Sequence, residues 1–402
     1  MNILICYILV LTLPKLILSL LQLRFLKQES AKTPYILEKD NFIKAAQYAM
    51  IKEKMSMIET LLDTALIGFW LLFGFRVLDS VLELSPLLKS VVFVLGFLLL
   101  QALIGLPLSA YGTLVVNKRF GFAKGGVGLF VSDTLKALAL LLIVGGILIF
   151  SFSWIIVNVL NWELYAFVFG AVLIVGLNVL YPTLIAPMFN QFTPLENAEL
   201  KESINALLTR VGFKSEGVFV MDASKRDGRL NAYFAGLGKA KRVILFDTLL
   251  DKIPQEGLLA VLGHELGHFK HHDIYKMMAL LLVFFGVLLF GIAHLPQSLF
   301  VSVGLEASPH AFIVFLLILS APFGFYFMLV MNGLSCQNEF NADKFGASVT
   351  SAESLAKALL VLVKENNSFP LAHPLYMRFF YSHPPLMARL IALNCAHLSI
   401  QD

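Results

Sequence analysis

Seven apolar runs of 18 or more residues dominate this chain, at roughly 2–23, 58–76, 87–111, 137–158, 164–186, 275–295 and 310–331. About 20 helical residues cross the hydrocarbon core of a bilayer, and a helix satisfies its own backbone hydrogen bonds where no water can. A chain built of such runs folds in a membrane. Its composition agrees: 58% of the 402 residues are hydrophobic and 14% charged, against about 45–50% and about 25% in soluble domains. So few charges cannot coat a soluble particle that also carries 35 phenylalanines. The first run could be taken for a secretory leader, but it lacks a basic start, Lys15 interrupts it, and no small-residue cleavage site follows. It is read as a span.

The net charge of +4 matters less than where the cations lie. Arg24, Lys27, Lys32, Lys39, Lys44, Lys52 and Lys54 fall between the first and second runs, and Lys118, Arg119, Lys124 and Lys136 between the third and fourth, whereas 77–86, 159–163 and 296–309 hold no Lys or Arg. Under the positive-inside rule the basic connections are cytoplasmic, together with 188–274 and the C-terminal segment. Topology thus accounts for the basic residues, and no nucleic acid is expected. Cys6, Cys336 and Cys395 are too few and too scattered for a disulfide framework.

Two stretches are polar enough to fold outside the bilayer. In 188–274, helical spacing over 196–212 is followed by strand-like Val218–Met221, a polar turn at 224–229, the stretch Asn231–Gly236 and a second strand at Arg242–Phe246. This predicts a small antiparallel sheet, then a helix from Pro254 to Lys270. The expected organisation is five spanning helices in 1–187, a catalytic segment at 188–274, spans six and seven in 275–332, and a C-terminal segment at 333–402. The fold class is therefore an all-α membrane protein of seven spans with a small α+β metalloprotease part.

The chemistry lies in His264-Glu265-Leu266-Gly267-His268. Positions i and i+4 share one helix face, so His264 and His268 can aim ring nitrogens at one ion. Glu265, beside the first of them, can take a proton from water on that ion. Zinc suits such a set, because three protein ligands leave a fourth position for water, whose pKa falls to about 7. The alternative is a His-rich helix end, since His271 and His272 follow. Position on a helix just before a span favours the metal. Acid is scarce downstream, and Glu339 and Asp343 stand one helical turn apart. Glu339 can complete a two-His, one-Glu site, with Asp343 accepting a hydrogen bond from a ligand imidazole.

These residues resemble the type-1 CAAX prenyl endopeptidases, a family of membrane zinc metalloproteases. The likeness is carried by HELGH at 264–268, Glu339-Phe-Asn-Ala-Asp343, Asn231-Ala232-Tyr233, the run from Arg242 to Leu250, Tyr381-Ser-His383-Pro-Pro-Leu-Met-Ala-Arg389, Pro187-Met-Phe-Asn190 with Pro194-Leu195, and Arg119-Phe-Gly-Phe122. It implies seven spans around a chamber, with one zinc ion on His264, His268 and Glu339 at its cytosolic end and Glu265 as general base. It also implies that His383 and Arg389 stand near the scissile carbonyl, and that Asn231, Ala232 and Tyr233 belong to an edge strand that pairs with a polypeptide substrate, lipidated or not. The chain departs from the family at Asn117 and Ala123, which puts the role of the 115–124 loop in doubt.

The function expected is CAAX-type peptide-bond hydrolysis. Short loops and the Gln401-Asp402 end, which holds no organelle-retention signal, suggest a bacterial inner membrane, where general quality-control proteolysis is the alternative. Heat-shock membrane proteases share HExxH but have about four spans. A transporter or silent scaffold would suit the Gly-interrupted helices, yet few ionisable groups besides Lys15 lie in mid-span.

Overall fold

The computed structural model describes residues 2–34, 36–235 and 241–398. Gly236 and the Gln401-Asp402 end, both used in reading the sequence, lie outside these. The chain opens with four long apolar helices, α1 Asn2–Glu29, α2 Lys39–Val81, α3 Pro86–Asn117 and α4 Val127–Asn158. Next comes α5, Trp162–Asn178, whose continuation Tyr181–Phe189 is bent from it by 50°. Pro182 starts that continuation, and its missing N–H and bulky ring break the helical ladder there.

Between the fifth and sixth crossings lies the only sheet among the described residues. Strand β1 (Phe192–Pro194) leads to helix α6 (Ala198–Val211), then β2 (Val218–Met221), β3 (Ala232–Ala235), β4 (Arg242–Phe246) and helix α7 (Gln255–Lys270). Asn197 caps α6 by accepting from the Leu200 N–H, and Gly212, at φ 71°, ends it in the left-handed conformation that glycine adopts without strain. The chain then returns to the membrane in α8 (Asp273–Ala293) and α9 (Pro309–Val349). Three shorter helices follow, α10 (Ala352–Glu365), α11 (Pro374–Phe380) and α12 (Leu386–Ala392). Six described helices are thus long and apolar enough to span, and a seventh crossing is made if the bent pair counts as one.

Two of these helices run far beyond the bilayer. At 1.5 Å per residue the 43 residues of α2 and the 41 of α9 extend roughly 64 and 61 Å, about twice a 30 Å hydrocarbon core. Lys39 to Lys54 therefore lie on the projecting end of α2 and not in a loop. Likewise the acidic pair 339 and 343 rides on the same helix as the last span. In the six straight spans only 11–33% of the apolar window is buried by the rest of the protein, so most of that surface faces lipid or the space the helices surround.

The sheet order is β1-β2-β4-β3. β1 pairs with β2, and β3 with β4, in antiparallel fashion, but β2 and β4 run parallel. The expected strands at 218–221 and 242–246 are present, with a different pairing from the antiparallel one predicted. The physical reason is the 20-residue connection from 222 to 241, which contains β3: it is long enough to bring the chain back to re-enter in the same direction, where a tight hairpin could not. One face of the sheet packs on α6 and α7 through Val218, Val243, Leu245, Ile204, Leu258 and Leu262. β3 is left as an edge strand.

Candidate metal centre and substrate cleft

Helices α7 and α9 cross through small residues. A Cβ on Gly267 would meet the Ala342 Cα at 2.7 Å, and one on Gly346 would meet the backbone N and Cα of His264 at 2.7 and 2.9 Å. Backbones this close bring the imidazoles of one helix onto the carboxylates of the other. His264 Nε2 lies 3.5 Å from Glu339 Oε2, and His268 Nε2 lies 3.2 Å from Glu339 Oε1. The two rings stand 4.9 Å apart at 90°. Ligand atoms of these three residues all lie within 4.8 Å of one another. Bonds of about 2.0–2.1 Å to a tetrahedral ion put ligand atoms roughly 3.3–3.4 Å apart, so the two nitrogen–oxygen separations fit a shared cation. Glu339 Oε2 is buried without a hydrogen bond of good geometry among the described residues, its near neighbours being His264 Nε2 at 3.5 Å and the Arg389 guanidinium at 3.3 Å.

The other nitrogen of each ring is also held. Asp343 Oδ1 lies 2.8 Å from His264 Nδ1, and Asp273 Oδ2 lies 3.0 Å from His268 Nδ1. A carboxylate on Nδ1 fixes the ring so that Nε2 points at the ion. Asp273 was not singled out from the sequence. It enters because His272 takes a left-handed backbone at φ 57° and starts α8 immediately, turning the first helical turn of a span back onto the site. Arg389 donates from Nε and Nη2 to both oxygens of Asp343, at 2.7 and 2.6 Å, and its Nη1 lies 3.3 Å from Glu339 Oε2. Burial weakens the charged form of His268, but hydrogen bonds to Glu339 and Asp273 outweigh it and hold its pKa up at about 9 in the metal-free protein. Burial also raises the Glu265 carboxyl above its ordinary range, against the pull of His264 and His268.

A cavity of about 530 Å³ opens beside the centre, lined by Asn231, Ala232, His264, Glu265, His383 and Arg389 among others. His383 is open to the cavity, its side chain 63% exposed, with Nε2 at 3.3 Å from Glu339 Oε1 and Nδ1 at 2.8 Å from Ser382 Oγ. Arg389 is 9% exposed. Three polar side chains from the spanning helices fasten α11 and with it the turn that carries His383. Gln22 accepts from the His373 N–H at 2.8 Å, Asn332 donates to the Phe379 carbonyl at 2.8 Å, and Tyr376 donates to Glu53 at 2.6 Å.

Asn231 and Ala232 line the cleft, but Tyr233, one residue further, packs on the opposite face of the sheet with Phe246. The strand is anchored by groups that sequence reasoning missed. Asn366 accepts from the Leu230 N–H at 2.8 Å and donates to the Leu230 carbonyl at 3.1 Å, standing where a neighbouring strand would. Upstream, Arg229 stacks 4.6 Å over Phe122 and donates to the Tyr48 hydroxyl at 2.6 Å, which in turn donates to Asn117. Through Asn117, the last residue of α3, the end of that helix thus braces the approach to β3. No periodicity signals such clamps, because the partners are 69 to 181 residues apart.

Comparison with known proteins finds a match to peptidase family M48 over residues 194–396, and to the five membrane helices of the CAAX prenyl protease N-terminal region over residues 22–191. A CAAX prenyl protease 1 homolog of Oryza sativa subsp. japonica is 31% identical, the match covering 97% of this chain and 96% of the relative. CAAX prenyl protease 1 of Saccharomyces cerevisiae is 36% identical over 73% of this chain and 70% of its own length. The crystal structure of S. mikatae Ste24p superposes with a TM-score of 0.88 at 29% identity, covering 95% of this chain and 96% of that one.

Proposed function

This chain belongs to peptidase family M48 and is a multi-pass integral-membrane metalloendopeptidase, and from that premise we propose that it is a zinc enzyme that trims polypeptides ending in a lipidated Cys-a-a-X sequence. The observation that carries the metal reading is the convergence of His264, His268 and Glu339 within 4.8 Å. Two imidazoles and one carboxylate, with an adjacent carboxylate free to act as a base, form a donor set that suits zinc. Bound there, zinc would supply the Lewis acidity that makes water nucleophilic near neutral pH.

The remaining roles fall to the chain's own side chains. Glu265 accepts the proton of the attacking water and returns it to the leaving amine; burial makes its carboxylate a stronger base than an exposed one. His383, open to the cavity, offers an N–H to the carbonyl oxygen as negative charge develops there. Arg389 is committed to Asp343 and Glu339, so it holds the ligand carboxylates in place and is less free to meet the carbonyl. The open edge of β3 takes the substrate backbone as an added strand at Asn231 and Ala232.

Lipidated Cys-a-a-X chains are the class of substrate named for the relatives. The basic residues of α2 and of the 118–124 stretch support a cytoplasmic site. The test uses purified full-length protein and a Cys-a-a-X peptide. Cleavage after Cys that is abolished by a chelator and restored by zinc, with one zinc per chain, is expected. Chelator-insensitive cleavage, or none with zinc bound, would overturn the reading.

A further inference from the structure

Along β3 the backbone groups are not all open to an added strand. The Asn231 carbonyl accepts from the Phe246 N–H, so Asn231 directs its backbone at β4. In an antiparallel ladder successive residues point their N–H and C=O groups to opposite sides, and those of Leu230, Ala232 and Phe234 therefore face the open edge. At Leu230 that edge is closed: Asn366 accepts from the N–H at 2.8 Å and donates to the carbonyl at 3.1 Å. One amide side chain thus makes both bonds by which a facing strand residue would pair there. At Ala232 the N–H is covered only by the side chain of Asn231, at 2.9 Å. Asn231 is exposed, so a substrate carbonyl can displace it by turning one side chain.

Asn366 cannot step aside in this way. It ends α10, where its own N–H bonds the Leu362 carbonyl. The next residue, Asn367, is buried, takes a left-handed backbone at φ 44° and bonds back to the Lys364 carbonyl. A residue other than glycine keeps that backbone only where its surroundings fix it. The helix behind it is held as well, for Leu355, Ala356 and Leu359 of α10 lie in one apolar core with Phe42 of α2 and Leu390 of α12. Glu265 marks where the cut bond must lie. It lines the first cavity with Ala232, and a second one, of about 420 Å³, with Phe234. The general base therefore stands alongside Ala232–Phe234, and Leu230 lies about 7 Å further along the strand.

We propose that Asn366 is a positioning residue that ends the substrate's backbone pairing and so selects which bond is cut. Antiparallel pairing is the more stable kind, and it places the C-terminal part of the substrate toward Leu230, where β3 begins. The substrate pairs at Phe234 and Ala232 and must leave the edge on meeting Asn366, about two to three residues past the cut bond. Were Leu230 free, the strand could slide by two residues. A slip of one would turn every side chain to the wrong face, but a slip of two restores the faces, and it presents a bond two residues nearer the substrate's N-terminus. The inference rests on the peptidase reading of the metal centre.

The test uses full-length, zinc-loaded protein and amidated peptides that share a lipidated cysteine and the residues before it, and carry one to six residues after it. In wild-type protein kcat/KM should rise up to the second or third of these residues and then level off. In Asn366→Gly, which frees both backbone groups of Leu230, the next residues should add about 5-fold, the effect of one further hydrogen bond. Mass analysis of the products should then show a second cut two residues N-terminal to the first. A merely structural role would lower kcat/KM at all lengths together and leave the cut in place; that result in a folded, zinc-loaded variant would overturn the proposal. So would wild-type kcat/KM that keeps rising to the sixth residue, a result that needs no variant. The same peptides are titrated onto Glu265→Gln, alone and combined with Asn366→Gly, and their Kd should show the plateau in the first and its removal in the second. If no peptide is cut by wild-type protein but Kd behaves so, the peptidase reading fails and the assignment of Asn366 stands.

Discussion

Two carboxylates each hold the far nitrogen of one proposed metal ligand, yet neutralising them should have different consequences. Asp343 is 1% exposed and binds both His264 Nδ1 and the Arg389 fork. Asp273 is 6% exposed and binds His268 Nδ1 and Lys276, whose side chain is 53% exposed. Removing either charge frees an imidazole to rotate, and loss of such a partner costs about 10–100-fold in metal affinity. Asp343→Asn does more, because it leaves a buried guanidinium facing a neutral amide, with Glu339 at 3.3 Å as its remaining carboxylate contact. Breaking a buried pair from one side costs about 3–5 kcal/mol. Asp273→Asn leaves an ammonium that water can solvate, and an exposed pair contributes about 0–1 kcal/mol. Zinc affinity measured by competition with a chelator should fall similarly in both variants. Thermal unfolding of the metal-free proteins in one detergent, at one scan rate, should show a large loss for Asp343→Asn and a small one for Asp273→Asn. Equal stability of the two metal-free variants would refute the claim that Arg389 depends on Asp343, and unchanged zinc affinity in Asp273→Asn would refute its role in orienting His268.

Other substitutions probe the same geometry. Glu265→Gln should retain zinc, measured by metal analysis, while peptide turnover falls by about 10²–10⁴-fold, the usual effect of losing a general base; Glu339→Ala should instead lose the metal. Gly346→Ala places a methyl group 2.7 Å from the backbone nitrogen of His264, so α7 and α9 must separate. A cost of about 1–3 kcal/mol in unfolding and weaker zinc binding are expected together. Asn366→Asp can still accept from Leu230 but cannot donate to its carbonyl. It should raise KM for a peptide that pairs with β3 more than it lowers kcat, with zinc content unchanged.

The membrane-embedded part of the fold is legible because one quantity, apolar length, decides it. The apolar run at 310–331 marks where α9 crosses, and Glu339 and Asp343 follow two and three turns later on the same helix. What hydropathy does not reveal is that such a helix continues into water unchanged. A run ends where polar residues begin, but a helix ends only where its backbone is broken. That is why the basic stretch 39–54, read as part of a connection, is the projecting end of α2. The sheet pairing was hidden for a different reason: local strand patterns fix where strands lie, while direction depends on how far the intervening chain travels, and here it makes an extra strand on the way.

The residues singled out at the centre share a regularity that single-chain reasoning can use. His264 with His268, and Glu339 with Asp343, are i, i+4 pairs, and Gly263 with Gly267 on α7 and Ala342 with Gly346 on α9 follow the same spacing on the facing sides of the two helices. Two such helices can meet closely only if the small residues of one fall opposite those of the other, and that condition aligns the two chemical pairs. The stripe is therefore a packing feature with a functional consequence: in the structure it sets 264 and 268 against 339 and 343. Asp273 and Asn366 escape this logic. Asp273 arrives through a left-handed residue that breaks the helical period. Asn366 binds only backbone atoms of Leu230, so whatever side chain stood at 230 would leave its pairing unchanged. Residues that hold backbone leave no complementary mark in their partners. Finding them requires asking which N–H and C=O groups beside an open strand edge have been satisfied, and by what.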